Sequence, residues 1–308
     1  MNILITGVLG HIGSSLLDDL SKIRNLRKVY LIDSARSNNL NVLFNLKNKN
    51  IKFNFIEGDL LDDKVLKKIK DKIDIVIHLA SITNAEASFK FKKIIYINNL
   101  GIFKKICKFC IKTKARLIHL SSTSVYGPKS SLVDETCNFL TPQSPYADVK
   151  LLEEKYLKRQ NKKLRYISLR LGTITGVSKG MRFHTAVNKF CSKTILKEEL
   201  PIWNNAMDQY RPYLSLSDAV KTIVYIINND IFDREVYNTL TKNYTVRQIL
   251  KMIENNNFKV KIKKTHSPIL NQSSYKVSNE KLKKFKISFN RDIKKDIRET
   301  LQLLKNLY

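Results

Sequence analysis

The 308-residue sequence predicts a doubly wound α/β fold, a parallel sheet covered on both faces with a smaller C-terminal α/β region behind it. Three observations carry this. Short, almost wholly apolar runs alternate with segments of helical period through the first 171 residues. Strands that apolar have no wet face, so helices must cover both sides of the sheet. A glycine triplet stands at the first strand-to-helix junction. After Gly172 the alternation becomes irregular, which divides the chain into 1–171 and a mainly substrate-binding region, 172–308. Elements around 211–240 are expected to return to the first part.

Taken in order, "NILITG" is a buried strand and "HIGSSLLDDLSKI" carries apolar residues at helical period. "KVYLID" and "IKFNFIEGDL" are the second and third strands, and "DDKVLKKIKD" a helix. "IDIVIHLAS" is the fourth strand, "NNLGIFKKICKFCIKTK" a long helix, and "RLIHLSSTSVYG" a fifth strand with its loop. A helix runs from Pro145 to about Gln160, then "LRYISLRL" is the sixth strand. Beyond it, "MRFHTAVNKFCSKTIL" has helical period, and "RPYLSLSDAVKTIVYII" is a strand running into a helix. The basic C-terminal end is helix-rich.

Fifty-six basic against 27 acidic residues give a formal charge of +29. Such a charge suggests nucleic acid or an anionic membrane as partner. The lysines, however, are spread along the whole chain among Asn and Ile, as in "NLKNKNIKFNF", and form no focused patch. The expectation is a generally basic, solvated surface with no specific nucleic-acid partner. The first residues read as a strand, so no secretory leader is expected, and no apolar run approaches the ~20 residues of a spanning helix. Four cysteines make no disulfide framework, so a cytoplasmic setting is expected. Cys107 and Cys110 lie at helical spacing among apolar residues, with no second ligand pair for a metal. They are expected to be packing residues, and His78, inside an apolar strand, a core histidine.

Between the first strand and helix, "GVLGHIG" supplies Gly7, Gly10 and Gly13 around His11 and Ile12. A phosphate-binding turn needs backbone that bends tightly and approaches the ligand closely, which glycine does at least cost. The following helix N-terminus offers free N–H groups and a partial positive charge to a diphosphate. Asp33 ends the second strand twenty residues beyond Gly13, where a carboxylate would hold ribose hydroxyls of a dinucleotide. The pattern predicts a Rossmann-type sheet binding NAD. Arg36, close behind Asp33, is read as a solvated loop arginine, with NADP left open.

In "SPYADVK", Tyr146 and Lys150 stand one helical turn apart and share a face. A free tyrosine has a pKa of about 10 and is a poor base at neutral pH. An ammonium beside it favours the phenolate, which can then take a proton from a substrate hydroxyl. The upstream "LSSTSVYG" ends the fifth strand at the cofactor crevice, where a serine can orient the reacting hydroxyl.

With these motifs the sequence resembles the extended short-chain dehydrogenase/reductases, in particular the NAD-dependent epimerase/dehydratase group acting on nucleotide sugars. "GVLGHIG" is similar to its glycine motif. By resemblance Asp59 and Leu60 of "EGDL" contact adenine, Leu79, Ala80 and Ser81 of "HLAS" line the cofactor, and Asn99 matches the family's helix asparagine. The resemblance makes Ser122, Tyr146 and Lys150 catalytic, and "RPYLSLSDAV" puts Arg211 near a substrate diphosphate. Thr83, Ser122, Thr123 and Thr173 would face the substrate, Thr173 standing where the family usually has asparagine. Arg182 and Asn188 of "GVSKGMRFHTAVNKF" are substrate contacts or solvated helix positions. Ile102 replaces a usual glycine. The usual arginine is missing from "NQSSYKVSNEKL", and "KFKISF" replaces a Leu-Gly-Trp-x-Pro landmark.

Dehydratases of this family carry an Asp-Glu pair where Thr123 and Ser124 stand, which argues against 4,6-dehydration. The resemblance therefore implies an NAD-dependent nucleotide-sugar epimerase that transiently oxidises a sugar hydroxyl, at C4. A nucleotide-sugar dehydrogenase or keto-reductase stays open, as does a non-catalytic relative that binds RNA or protein. The resemblance also implies a homodimer, joined through the helices after the fourth and fifth strands.

Overall fold

The computed structural model describes residues 1–307 apart from 45, 47–49, 86, 204–205, 266–273, 288 and 290–291. Parts of the C-terminal segments compared with the family, 271–273 and 288, thus lie outside the described residues. The first five strands are β1 (Asn2–Thr6), β2 (Lys28–Asp33), β3 (Lys52–Glu57), β4 (Ile75–His78) and β5 (Arg116–Ser122). With Tyr166–Leu171 and Val236–Thr239 they form one seven-stranded sheet. Its order runs from Val236–Thr239 through Tyr166–Leu171, β5, β4, β1 and β2 to β3, and every pair is parallel. The strand order reverses between β1 and β4, so their C-terminal ends open a crevice there.

Apolar clusters cover both faces, as continuous apolar strands require. On one face Ile3, Ile5, Val29 and Leu31 pack with Leu16 of the helix His11–Asp18 and Val220 of the helix Leu216–Asn228. On the other, Leu4, Val76 and Leu117 pack with Phe103, Ile106, Cys107 and Cys110 of the helix Gly101–Thr113. Cys107 and Cys110 are buried there, and burial pushes both thiols well above their ordinary range. Among the described residues no cluster of His, Cys, Asp or Glu is arranged to hold a metal ion. No helix is long and apolar enough to cross a membrane among them.

The helix Pro145–Arg159 starts where its sequence tells it to. The Ser144 hydroxyl accepts from the Ala147 N–H at 3.2 Å, and Pro145, which has no N–H to lose, occupies the first turn. The long helix after β4 differs from expectation. It begins at Lys92 and passes through a π-helical turn, Tyr96–Leu100, before Gly101. Such single turns cost hydrogen-bond geometry and re-aim side chains. Here the turn buries Asn99, whose amide closes both backbone groups of Ile82, at 2.9 and 3.0 Å.

Beyond Leu171 the chain builds a three-stranded sheet in the order Lys242–Thr245, Tyr210–Ser215, Thr173–Thr175. Helices Ala186–Ile195, Val246–Glu254 and Ile293–Lys305 share a separate apolar cluster. The helix expected from Met181 starts only at Ala186. The preceding residues are drawn off the helical path by bonds to the glycine turn. The Ser14 hydroxyl accepts from the Gly180 N–H at 2.9 Å, and His11 Nδ1 meets Ser178 Oγ at 2.7 Å.

Candidate active site

A cavity of about 410 Å³ opens at the C-terminal ends of β1, β4 and β5. The glycine turn forms one wall. Gly7 has φ +73°, and a Cβ there would stand 2.5 Å from the Ala80 nitrogen. A Cβ on Gly13 would meet the Val8 carbonyl oxygen at 2.5 Å. Both positions therefore demand glycine. Gly10 caps the helix His11–Asp18 without any side chain, leaving first-turn N–H groups for a ligand. Asp33 is tied to the same turn, its carboxylate accepting from Leu9 and Ala35 N–H groups, each at 3.0 Å. Ser81 Oγ and His11 Nε2 are buried without a hydrogen-bond partner, and both residues line the cavity. Stranded polar atoms of this kind call for a ligand that satisfies them. An uncapped helix end for a diphosphate, a ribose-holding carboxylate and orphaned polar atoms fit NAD.

Ser122 closes β5, and its Oγ lies 2.8 Å from Ser124 Oγ. Tyr146 and Lys150 come from the first two turns of the helix Pro145–Arg159, with Lys150 Nζ 5.9 Å from the Tyr146 ring centroid. All three line the cavity with the glycine turn. Burial pushes Tyr146 above its ordinary range. Lys150 pulls the other way, Glu153 adds to the rise, and Arg182 and Ser122 favour the phenolate. The lysine alone thus does not lower this tyrosine. A positive ring bound beside it would act in the direction of Lys150.

Of the other residues singled out from the sequence, Leu79, Thr83, Thr123, Thr173, Arg182 and Arg211 also line the cavity. The Arg182 guanidinium donates to Thr83 Oγ1 at 2.6 Å and lies 3.2 Å from where a Gly10 Cβ would stand. Arg211 stacks over Tyr275 with 5.2 Å to the ring centroid and donates to the Tyr210 carbonyl. Thr123 is committed to the Leu171 carbonyl at 3.2 Å. Asn188 is buried behind the wall, where it donates to the Arg182 carbonyl at 3.1 Å. Leu60 belongs to the apolar cluster under the sheet, against which Ala80 also packs, its backbone pressed against Gly7; neither lines the cavity. Asn99 holds the cavity-lining segment at Ile82 from behind. Arg36 is solvated as expected, with 66% of its side chain exposed, and pairs with Asp59 at 2.7 Å.

Several residues around the site escaped the sequence. His78 is the core histidine expected, bonded to Thr6 Oγ1 at 2.8 Å, and burial lowers it to about 3. Its register partner His119 on β5 was not singled out, although "IHLAS" and "LIHLSS" repeat the same pattern. His119 Nε2 lies 2.9 Å from Glu153, which in turn accepts from Lys150 at 2.8 Å. Trp203 and Tyr275 also line the cavity. Tyr213 is a core residue.

The chain is similar to known proteins. A putative UDP-glucose 4-epimerase of Methanocaldococcus jannaschii is 27% identical over 261 residues, 82% of this chain and 81% of that one. An uncharacterized UDP-glucose epimerase of Bacillus subtilis is 28% identical over 240 residues, 74% and 72% of the two chains. Among solved structures, UDP-glucuronic acid 4-epimerase from Bacillus cereus, in complex with UDP-glucuronic acid and NAD, superposes with a TM-score of 0.85. It is 25% identical, and each chain is covered in full. The profile of the NAD dependent epimerase/dehydratase family matches residues 3–239, and the chain belongs to that family of NAD-dependent enzymes.

Proposed function

We propose that this protein is a nucleotide-sugar 4-epimerase that keeps its NAD and oxidises a sugar hydroxyl only transiently. One observation carries the reading: Ser122, Tyr146 and Lys150 meet in the same cavity as the glycine turn. Bound NAD supplies the acceptor, and later the donor, of hydride. The residues that would hold it are Gly7, Gly10 and Gly13, His11 and Ile12 through first-turn N–H groups, Asp33, Ser81, Tyr146 and Lys150. Asp59 and Leu60 stand behind its adenine end, and Leu79, Ala80 and Asn99 shape the wall. Tyr146 takes the proton from the substrate hydroxyl and returns it, as a general base and acid must. Ser122 orients that hydroxyl. Lys150 holds positive charge beside the phenol.

A nucleoside diphosphate sugar is the substrate class. Arg182 and Arg211 offer cations to its diphosphate, and Thr83, Thr123 and Thr173 line the side of the cavity where the sugar would lie. A dehydrogenase or keto-reductase would exchange its cofactor every turnover. Here the segment around Gly180 packs on the glycine turn, a Cβ at Gly180 falling 2.5 Å from the Gly10 carbonyl oxygen. That cover favours a cofactor that stays, and with it an epimerase. Four free thiols, three of them buried, are consistent with a cytoplasmic setting. The reading includes a homodimer: Phe91, just before the helix that follows β4, and Ile94 and Ile97 on it are more than half exposed. Sedimentation should give twice the chain mass, and a monomer would remove this part of the proposal.

The test is mass spectrometry of nucleotides released on denaturation, together with conversion assays on UDP-glucose, UDP-glucuronic acid and UDP-N-acetylglucosamine. About one equivalent of NAD and interconversion of a C4 epimer pair are expected. Tyr146→Phe should lower turnover roughly 10²–10⁴-fold while NAD is still released. Wild-type turnover in that variant, or a protein that neither carries nor takes up NAD, would refute the reading.

A further inference from the structure

We propose that Glu153 is a positioning residue of this active site: supported by His119, it holds the Lys150 ammonium and offsets its field at Tyr146. This rests on the catalytic reading of Tyr146 and Lys150 given above. A Lys-Glu pair three residues apart on a helix is ordinarily a solvated pair of little consequence. This one is buried, with 5% and 1% of the two side chains exposed. In such surroundings charges act strongly on their neighbours, and neither member can be lost without stranding the other.

The geometry fixes the arrangement. Glu153 Oε2 accepts from Lys150 Nζ at 2.8 Å and faces His119 Nε2 at 2.9 Å. His119 Nδ1 lies 2.9 Å from Ser168 Oγ on the next strand. Burial keeps His119 neutral, so its single N–H sits on Nε2 and donates to the carboxylate. Nδ1 then accepts from the Ser168 hydroxyl. Phe103 covers this histidine, with 4.7 Å between ring centroids. The carboxylate is thus held by two donors and cannot swing away from Lys150. One of the three ammonium hydrogens is committed to it, leaving two for the cavity.

Every charged or titratable group around the pair can be named. The helix of Glu153 contributes Tyr146, Lys150 and Glu154, the last turned to Arg170 and Ser121. His119 comes from β5, His78 from β4, and Cys107, its thiol kept protonated by burial, from the helix Gly101–Thr113. Arg182 approaches Tyr146 from the cavity side. Lys150 and Glu153 together carry no net charge. Tyr146 therefore sees a dipole where an unopposed cation would draw out its proton more strongly. The consequence is a phenol kept protonated until a cationic ring is bound, so the base is armed only with the cofactor in place.

The experiment labels tyrosine with 13C at Cζ in the NAD-saturated protein and assigns Tyr146 by its loss in Tyr146→Phe. Glu153→Gln should lower the Tyr146 titration midpoint by about one pH unit or more. An unchanged or higher midpoint overturns the proposal. A second measurement needs neither cofactor nor substrate. Lys150→Met strands the carboxylate and should lower the thermal midpoint, and adding Glu153→Gln should restore most of that loss. If the double variant melts no higher than Lys150→Met, the pair is not coupled and the proposal fails. Failure of the enzymatic reading would show separately, as no NAD uptake by a protein whose stability cycle still closes.

Discussion

Glu153 and Glu154 are adjacent residues of one helix, both buried and each paired with a cation, yet they do opposite work. Glu154 points to the sheet. Arg170 reaches it with two guanidinium nitrogens, at 2.9 and 2.7 Å, and Ser121 Oγ donates to it at 2.5 Å. The same arginine donates to Tyr126 Oη, which donates to Asn238 on the edge strand. That chain of bonds bolts the helix Pro145–Arg159 across three strands. Glu153 points to the cavity end of the helix, where its partner is the lysine of the active site. Successive helix positions are 100° apart, so one step in sequence separates a clamp from a tuning group.

The largest effect should come from breaking the clamp. Arg170→Met leaves Glu154 buried with one hydroxyl donor, and removing one partner of a buried pair costs roughly 3–5 kcal/mol. The fold should be destabilised by about that amount in a urea titration, while Tyr146 keeps the midpoint it has in the wild type. A loss within the scatter of surface substitutions would mean the pair is not the bolt described here. A shifted Tyr146 midpoint at unchanged stability would erase the distinction between the two carboxylates.

How far the sequence reached follows the same division. Local signals announce themselves, so the glycine turn, the Ser144-Pro145 helix start and the one-turn spacing of Tyr146 and Lys150 were legible. The apolar runs gave six of the seven strands of the main sheet, while Val236–Thr239 was anticipated only as part of a region returning to it. What stayed hidden depends on contacts between distant segments. Glu153 looks like any solvated glutamate in a lysine-rich helix until β5 places His119 beneath it, 34 residues upstream. The π-helical turn that buries Asn99 has no signature in "YINNL". The late start of the helix at Ala186 follows from Gly180 bonding to Ser14, 166 residues away. Periodicity assigned His184 and Arg182 to a helix, whereas that long-range bond leaves both lining the cavity.

A smaller effect sharpens the contrast through pH, since the tuning side rests on a histidine and the clamp does not. His78 and His11 have their ordinary value of 6.5 lowered by burial to about 3 and about 4, and burial lowers His119 as well. In the unfolded chain all three protonate near 6.5; in the folded protein they resist. Below pH 6.5 the unfolded state therefore binds more protons, and stability rises with pH in that window. It is fully present above 6.5 and is lost as pH falls toward 3–4. Each imidazole contributes a slope of up to about 1.4 kcal/mol per pH unit. Glu153 acts in the same direction at lower pH, because Lys150 and His119 overcome the effect of burial and hold its carboxyl down. Urea midpoints measured from pH 7.5 to 4.5 should fall steadily in the wild type. In His119→Gln, whose amide can still donate to Glu153, the decline should be shallower by one proton's worth. A flat wild-type profile, or a variant with the same slope, would mean that His119 is not buried neutral against Glu153.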